Sequence, residues 1–181
     1  MQQPKLVADV INSKPAVLFD GDDDMLARVD VAGDALLSSD SVSIYAVVRQ
    51  KQQSAANTVL AWEATNYKNH LALLTSYHDQ FLIDHGHATE EGRVSAAQPE
   101  GWDDTWHVLE FVRNGSQAVV MVDSEEVERG EFGDVLEVDT AGMLLVGALS
   151  ELAFGGEIAE VLIYNRALSE PERGAVRGYL G

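Results

Sequence analysis

Four carboxylates crowd into five residues at Asp20-Gly21-Asp22-Asp23-Asp24. Such a run offers oxygens to a hard cation, and Ca²⁺ takes six to eight of them. The spacing is not that of an EF-hand, because the sixth position is Met25 rather than glycine and the twelfth is Val31. A second chemistry is offered by the flat rings Trp62, Tyr67, Tyr77, Trp102 and Trp106. Exposed rings stack on the C–H faces of pyranoses while neighbouring carboxylates and amides hold hydroxyls. Trp102, beside Asp103 and Asp104, is the best candidate for such a ring, and Trp62 with Glu63, Asn66 and Tyr67 is second. Packing is the commoner use of large aromatics. His85-Gly86-His87 could chelate a transition metal, but two histidines without a carboxylate or thiolate at fixed spacing fit a polar hairpin tip better. No HExxH, P-loop, G-x-S-x-G or G-x-G-x-x-G occurs.

Charge limits the partners. The chain has 181 residues, 30 acids against 12 Lys and Arg, and a formal net charge of -18. Lysine is confined to Lys5, Lys14, Lys51 and Lys68. A surface this acidic repels nucleic-acid phosphates and anionic membranes, and suits a highly soluble protein or one of salty surroundings. With no cysteine, disulfides, thiolate metal sites and cysteine nucleophiles are excluded. Met1 to Lys5 lack the apolar stretch of a signal peptide. The longest apolar run, Met143 to Leu149, is strand-sized and far short of the ~20 residues of a spanning helix.

The elements that must position these groups are short strands. Ala16–Asp20, Met25–Val29, Ser41–Arg49, Thr58–Glu63, His70–Thr75, Gln80–Asp84, Met143–Ala148 and Glu157–Tyr164 are apolar, β-branched or alternating, and turn residues interrupt them. Within Ser41–Arg49, Val42, Ile44, Ala46 and Val48 share one face. Trp106–Val112 and Gln117–Asp123 flank Asn114-Gly115, the expected type I′ turn of a hairpin. Asn114-Gly115-Ser116 is formally a glycosylation acceptor, and the turn explains it better. Gly155-Gly156 suits a bulge or turn, and Gly86 to Gly101 reads as one long loop with room for a short strand. One helix is signalled at the C-terminus. Ser169 and Glu172 form a capping box, Pro171 falls in the first turn, and Ala175, Val176, Tyr179 and Leu180 give an apolar face. The expected architecture is all-β: a two-sheet antiparallel sandwich with a short C-terminal helix, in one domain spanning 1–181.

Three segments carry a family resemblance. Lys14-Pro-Ala-Val-Leu-Phe-Asp-Gly-Asp-Asp-Asp-Met-Leu26, the Trp106-His107 hairpin closing on Val120-Met-Val-Asp123, and Phe154-Gly-Gly-Glu-Ile-Ala-Glu-Val-Leu-Ile-Tyr-Asn-Arg-Ala-Leu-Ser169 resemble the concanavalin A-like, laminin-G-like jelly-roll domains of bacterial type. Ser124 stands where the family's hairpin usually has glycine. The resemblance implies a jelly roll with one concave and one convex sheet. It places Trp106 in the core and makes the aspartates of 20–24 a turn whose side chains bond backbone N–H groups. Many relatives bind Ca²⁺ at sandwich edges, so Ca²⁺ on Asp20, Asp22, Asp23 and Asp24 is the one cofactor the pattern admits. Retaining glucanases of this fold carry Glu-x-Asp-x-x-Glu. Here Glu137-Val-Asp139 begins it, but Gly142 stands at the last position. A polysaccharide lyase could draw on His70, Tyr77, His78, His85 and His87, but the chain has few cations to offer a polyanion. The expectation is a non-catalytic recognition or adhesion module for carbohydrate at a cell or particle surface. Trp102, Asp103, Trp62, Tyr67 and Tyr77 are its ligand-binding candidates. The alternative is a structural surface protein, such as a virion decoration subunit, working through protein contacts or self-assembly. An enzyme is the last choice.

Overall fold

A computed structural model describes residues 3–31, 40–51, 56–63, 70–86, 90–133 and 142–181. In chain order its elements are β1 (Lys5–Ile11), β2 (Lys14–Asp20), β3 (Leu26–Val31), β4 (Ser41–Gln50), β5 (Asn57–Glu63), β6 (His70–Tyr77), β7 (Gln80–Gly86), β8 (Arg93–Ala97), β9 (His107–Asn114), β10 (Gln117–Val122) and β11 (Glu125–Glu131). They continue with β12 (Gly142–Val146), the short β13 (Ala148–Leu149) and β14 (Leu152–Ala153), β15 (Gly155–Tyr164) and helix α1 (Glu170–Leu180). Seven strands form one sheet in the order β1-β2-β15-β4-β9-β10-β11, and six form the other in the order β3-β12-β5-β6-β7-β8. All their pairings are antiparallel.

Alternation sets the layers. Val42, Ile44, Ala46 and Val48 of β4 point between the sheets and meet Leu60, Trp62, Leu71, Leu73, Phe81 and Ile83 of the opposite sheet. The intervening Tyr45 and Val47 point outward and lie under α1 with Leu168 and Leu180. The β8 and β11 edges close one side of the sandwich. Gly130 makes this approach possible, because a Cβ there would lie 2.7 Å from a Val94 methyl.

Two local expectations change. The β9–β10 hairpin turns at Gly115-Ser116, not Asn114-Gly115, because Asn114 pairs with Gln117. Gly115 takes φ +64 while Asn114 does not enter the positive region, so the glycine sits first, as in a type II′ turn. Helix α1 does begin after Ser169 with Glu172 at N3, whose Oε2 accepts the Ser169 amide at 2.9 Å. Its inward stripe, however, is Val176 and Leu180 together with Arg173 and Arg177, while Ala175 and Tyr179 face solvent. A buried carboxylate on the sheet beneath, Glu110, draws the arginines in: it accepts from Arg173 Nε at 2.5 Å, Arg177 Nη1 at 3.0 Å and the Tyr45 hydroxyl at 3.2 Å.

The β10–β11 turn, Asp123-Ser124, has φ +50 and +73, so the serine occupies the left-handed position where relatives carry glycine. Removing that Cβ penalty is worth about 1 kcal/mol. Ser124→Gly should therefore raise the unfolding free energy by that amount, seen as a higher chemical-denaturation midpoint with an unchanged m-value.

Candidate ligand-binding end of the sandwich

The strand directions bring three of the singled-out segments to one end. Asp20 ends β2 opposite Gly155, Gln50 ends β4 opposite Gly156, and His107 begins β9 opposite Val48. In the other sheet Tyr77 ends β6 opposite Gln80, and Ala97 ends β8 beside the same Gln80. The 20–24 turn, the 98–106 loop and the β6–β7 hairpin tip therefore share this end.

Gln50, nearly fully buried, ties them together. Its side-chain amide donates to Asp103 Oδ1 at 2.8 Å, its side-chain carbonyl accepts from Thr75 Oγ1 at 2.7 Å, and its backbone carbonyl accepts the Asp104 amide at 2.7 Å. The Gln98 side chain donates to the Thr75 carbonyl, pinning the loop two residues from Tyr77. The Gly155 amide donates to Asn57 Oδ1 at 2.8 Å, joining the two sheets. Sequence reading passed over Gln50. The available signal was a polar side chain falling on the same alternation as Val42, Ile44, Ala46 and Val48, the inward face of β4.

The aromatic expectations divide. Trp102 is 3% exposed and Trp62 is 0% exposed, so both are corrected from ligand platforms to core residues. Trp102 turns inward because it finds two ring partners. It stacks on His107 at 4.5 Å with an interplanar angle of 14°, and meets Phe81 edge-on at 4.7 Å. Trp62 lies on the inward face of β5. Asp103 is half-buried and committed to Gln50. Tyr67 falls outside the described residues, as do Asn66, His87, Glu137 and Asp139. Tyr77 remains: it is 37% exposed, with the His78 ring edge-on at 4.6 Å. His78 and Asp79 both take positive φ between the paired Tyr77 and Gln80, the pattern of a type I′ hairpin turn. Trp106 is half-buried on the outward face of its sheet rather than between the sheets. Arg49 lies over it at 5.2 Å and is itself bonded to both Glu157 oxygens.

His85 is no hairpin tip. It is fully buried, and its Nδ1 lies 3.2 Å from Arg113 Nη1. Burial first, and the adjacent Arg113 charge second, push its pKa down to about 3. His107, in contrast, has its Nδ1 2.7 Å from Asp123 Oδ2, a pair that fastens the start of β9 to the β10–β11 turn.

The aspartate run folds as a turn. Asp20 Oδ1 accepts the amides of Asp22, Asp23 and Asp24 at 2.9, 3.2 and 3.3 Å, and Asp24 Oδ2 accepts the Asp20 amide at 3.1 Å. The Asp22 amide most, and those of Asp23 and Asp24 after it, hold the Asp20 carboxyl below its ordinary value. Oxygens of Asp20, Asp23 and Asp24 lie within 4.8 Å of one another, and Asp22 is not part of that group. Two of the oxygens already serve the turn, so three carboxylates leave an incomplete shell for Ca²⁺.

Both flat faces of the sandwich are covered along their middle rows. On the outward face of the six-stranded sheet, Leu145, Ala61, Ala72 and Asp84 are neighbours across four strands and none is more than 3% exposed. Tyr45 and Val47 of the other sheet lie under α1.

Residues 22–172 match the family model described as the concanavalin A-like lectin/glucanases superfamily, of the laminin-G-like type, and the chain belongs to that family. No curated protein sequence matches it. Among solved structures, domain 4 of an extracellular GH43 arabinanase from Geobacillus stearothermophilus, in complex with arabinotriose, is similar with a TM-score of 0.73 at 17% identity, covering 98% of this chain and 82% of that one. The binding domain of botulinum neurotoxin serotype G gives 0.74 at 8% identity, with coverage of 99% and 46%. Domains LG4-5 of the mouse laminin alpha1 chain give 0.62 at 20% identity, with coverage of 85% and 44%. This chain thus spans about half the length of the last two.

Proposed function

We propose that the protein is a non-catalytic recognition module that binds carbohydrate at a cell or particle surface, through the sandwich end built around Gln50. The observation that carries this reading is the Tyr77–His78 tip. It is the exposed aromatic pair at that end, held by the Thr75–Gln50–Asp103 hydrogen bonds among carboxylates able to accept sugar hydroxyls. A ring of this kind covers apolar sugar C–H groups while polar neighbours fix orientation. The similar arabinanase domain, solved with arabinotriose, supports a glycan as the class of ligand. The incomplete oxygen shell at Asp20, Asp23 and Asp24 favours binding without calcium.

A glycan array run in Ca²⁺ and again in EDTA at matched ionic strength tests the reading. The expected result is a specific signal that survives EDTA and falls at least tenfold in Tyr77→Ala, with thermal stability unchanged. Loss in EDTA would put a metal in the site. Absence of binding in both buffers would sink the carbohydrate reading.

The second reading, a structural surface protein, is favoured by a different observation. Leu26, Val29 and Met143, on β3 and its neighbour β12, are 43%, 61% and 39% exposed. Apolar groups left open at a sheet edge suit a protein partner. Concentration-dependent sedimentation of the purified chain would move the assignment to it.

A further inference from the structure

We propose that the open side of the sandwich, along β3, is a two-fold interface with a second copy of this chain. The inference rests on the second reading above and names its partner.

The sandwich is closed on one side and open on the other. Strand β11 approaches β8 at Gly130 and Val94, which leaves β1 and β3 as the free edges. On β3 the side chains of Leu26, Ala27, Arg28 and Val29 are all exposed. Of the six large apolar side chains exposed among the described residues, four lie on this side: Leu6 at 74%, Leu26 at 43%, Val29 at 61% and Met143 at 39%. Leu6 stands opposite Val17 and Leu26 opposite Val146, and both of those partners pack against the core. The two leucines are thus the last members of core rows, left at the surface. Apolar groups gathered in this way mark an interaction surface.

Charge selects the occupant. Seven of the eight arginines are bound within the chain, six to carboxylates and Arg113 to the carbonyls of Gly115 and His85. Arg28 is the eighth, and it has no such partner among the described residues. An exposed cation on an apolar strand suits an acidic partner, and this chain is itself one, at a net charge of -18. The strand reads Leu26-Ala27-Arg28-Val29-Asp30-Val31. Two copies run antiparallel about a two-fold axis at Val29 set Arg28 of each against Asp30 of the other, Ala27 against Val31, and Val29 against itself. A shift of one residue either way loses both charge matches. Self-complementarity of this kind is what a two-fold contact requires, and opposite charges facing across strands favour it. The β3–β12 register breaks between Arg28 and Val31, so the two edges meet without one unbroken ladder. The contact is small and the dimer correspondingly weak, with a Kd on the order of 10 μM.

Sedimentation velocity between about 1 and 300 μM chain, a range that brackets this Kd, tests the inference. The expected result is an equilibrium that levels off at two copies. Val29→Lys should weaken it at least about tenfold, although it lowers the net negative charge and so eases repulsion between copies. Arg28→Asp and Asp30→Arg should each weaken it by about fivefold, although one raises the net negative charge and the other lowers it. The double variant carrying both exchanges should return to within about twofold of the parent. Arg28 and Val29 are exposed, so melting temperatures should match the parent's, and Arg28→Ala replaces any charge variant that melts lower. Self-association that ignores these variants overturns the inference and leaves the second reading standing. Assembly that grows past two copies does the same, as do single charge variants that shift the equilibrium in opposite directions. A chain that stays monomeric across the whole range overturns both.

Discussion

Glu110→Ala should destabilise the protein by about 3–5 kcal/mol, the cost of stranding one side of a buried ion pair. Glu110 is 2% exposed, on the outward face of β9. Its oxygens receive Arg173 Nε at 2.5 Å and Arg177 Nη1 at 3.0 Å, and those arginine side chains are themselves only 15% and 18% exposed. Alanine removes the buried counter-charge beneath two guanidinium groups and leaves them only the exposed carboxylate of Glu170. It also strips the Tyr45 hydroxyl of its acceptor, whose proton burial and the Glu110 charge hold more tightly than usual. In a chain of this size the melting temperature should fall by about 10 °C. Hydrogen exchange in α1 should rise before that in the β4–β9 pair, because the helix loses its anchor while the sheet keeps its ladder. The distinguishing control is Glu110→Leu combined with Arg173→Leu and Arg177→Met. Apolar replacement of a whole buried cluster is often neutral or stabilising. If the single variant melts within 2 °C of the parent, the pair is not holding the helix.

The second large effect is a dependence on acid. His85 in the unfolded chain takes up a proton near pH 6.5. In the folded chain, burial and the neighbouring Arg113 postpone that event to about pH 3. Between those values the unfolded state binds the extra proton, so stability is fully present above pH 6.5 and falls as the pH drops. The slope is up to about 1.4 kcal/mol per unit. The clean window is pH 6.5 to 5, where ordinary carboxylates stay ionised. Urea unfolding across that window should lose about 1–2 kcal/mol in the parent. His85→Gln, which can still accept from Arg113, should start less stable and show a flat profile there. A parent profile as flat as the variant's would mean that His85 is not kept neutral by the fold.

How far the amino-acid sequence reaches can be judged residue by residue. The alternation Val42, Ile44, Ala46, Val48 is unambiguous because β4 lies in the middle of its sheet and must separate a core face from a helix-covered face. The Asp20 turn and the Ser169–Glu172 cap are equally legible, since each is a local hydrogen-bond pattern that needs no tertiary partner. Strand β11 is not, because Glu125-Glu126-Val127-Glu128-Arg129-Gly130-Glu131 has the composition of a solvated loop. Its pairing with β10 and closure against β8 come from elsewhere in the chain. Trp102 misleads for the opposite reason. Its neighbours Asp103 and Asp104 are polar, yet one ring in a loop can turn independently of them, and His107 and Phe81 are waiting inside. The inward arginines of α1 are illegible for the same kind of reason, since Glu110, which draws them inward, lies 63 and 67 residues upstream of them.

The position of β15 has a consequence for how the chain is made. It pairs with β2 through Gly155–Ile158 and with β4 through Gly156–Tyr164, so it fills the place between two of the earliest strands. Until β15 has been made, β2 and β4 have no neighbour on their facing edges. The seven-stranded sheet can form as a unit only after residue 164 has emerged. Such long-range pairing is slow, and its open edges are prone to association in the meantime. Closure of this sheet is therefore a late step, and the acidic surface keeps waiting chains apart.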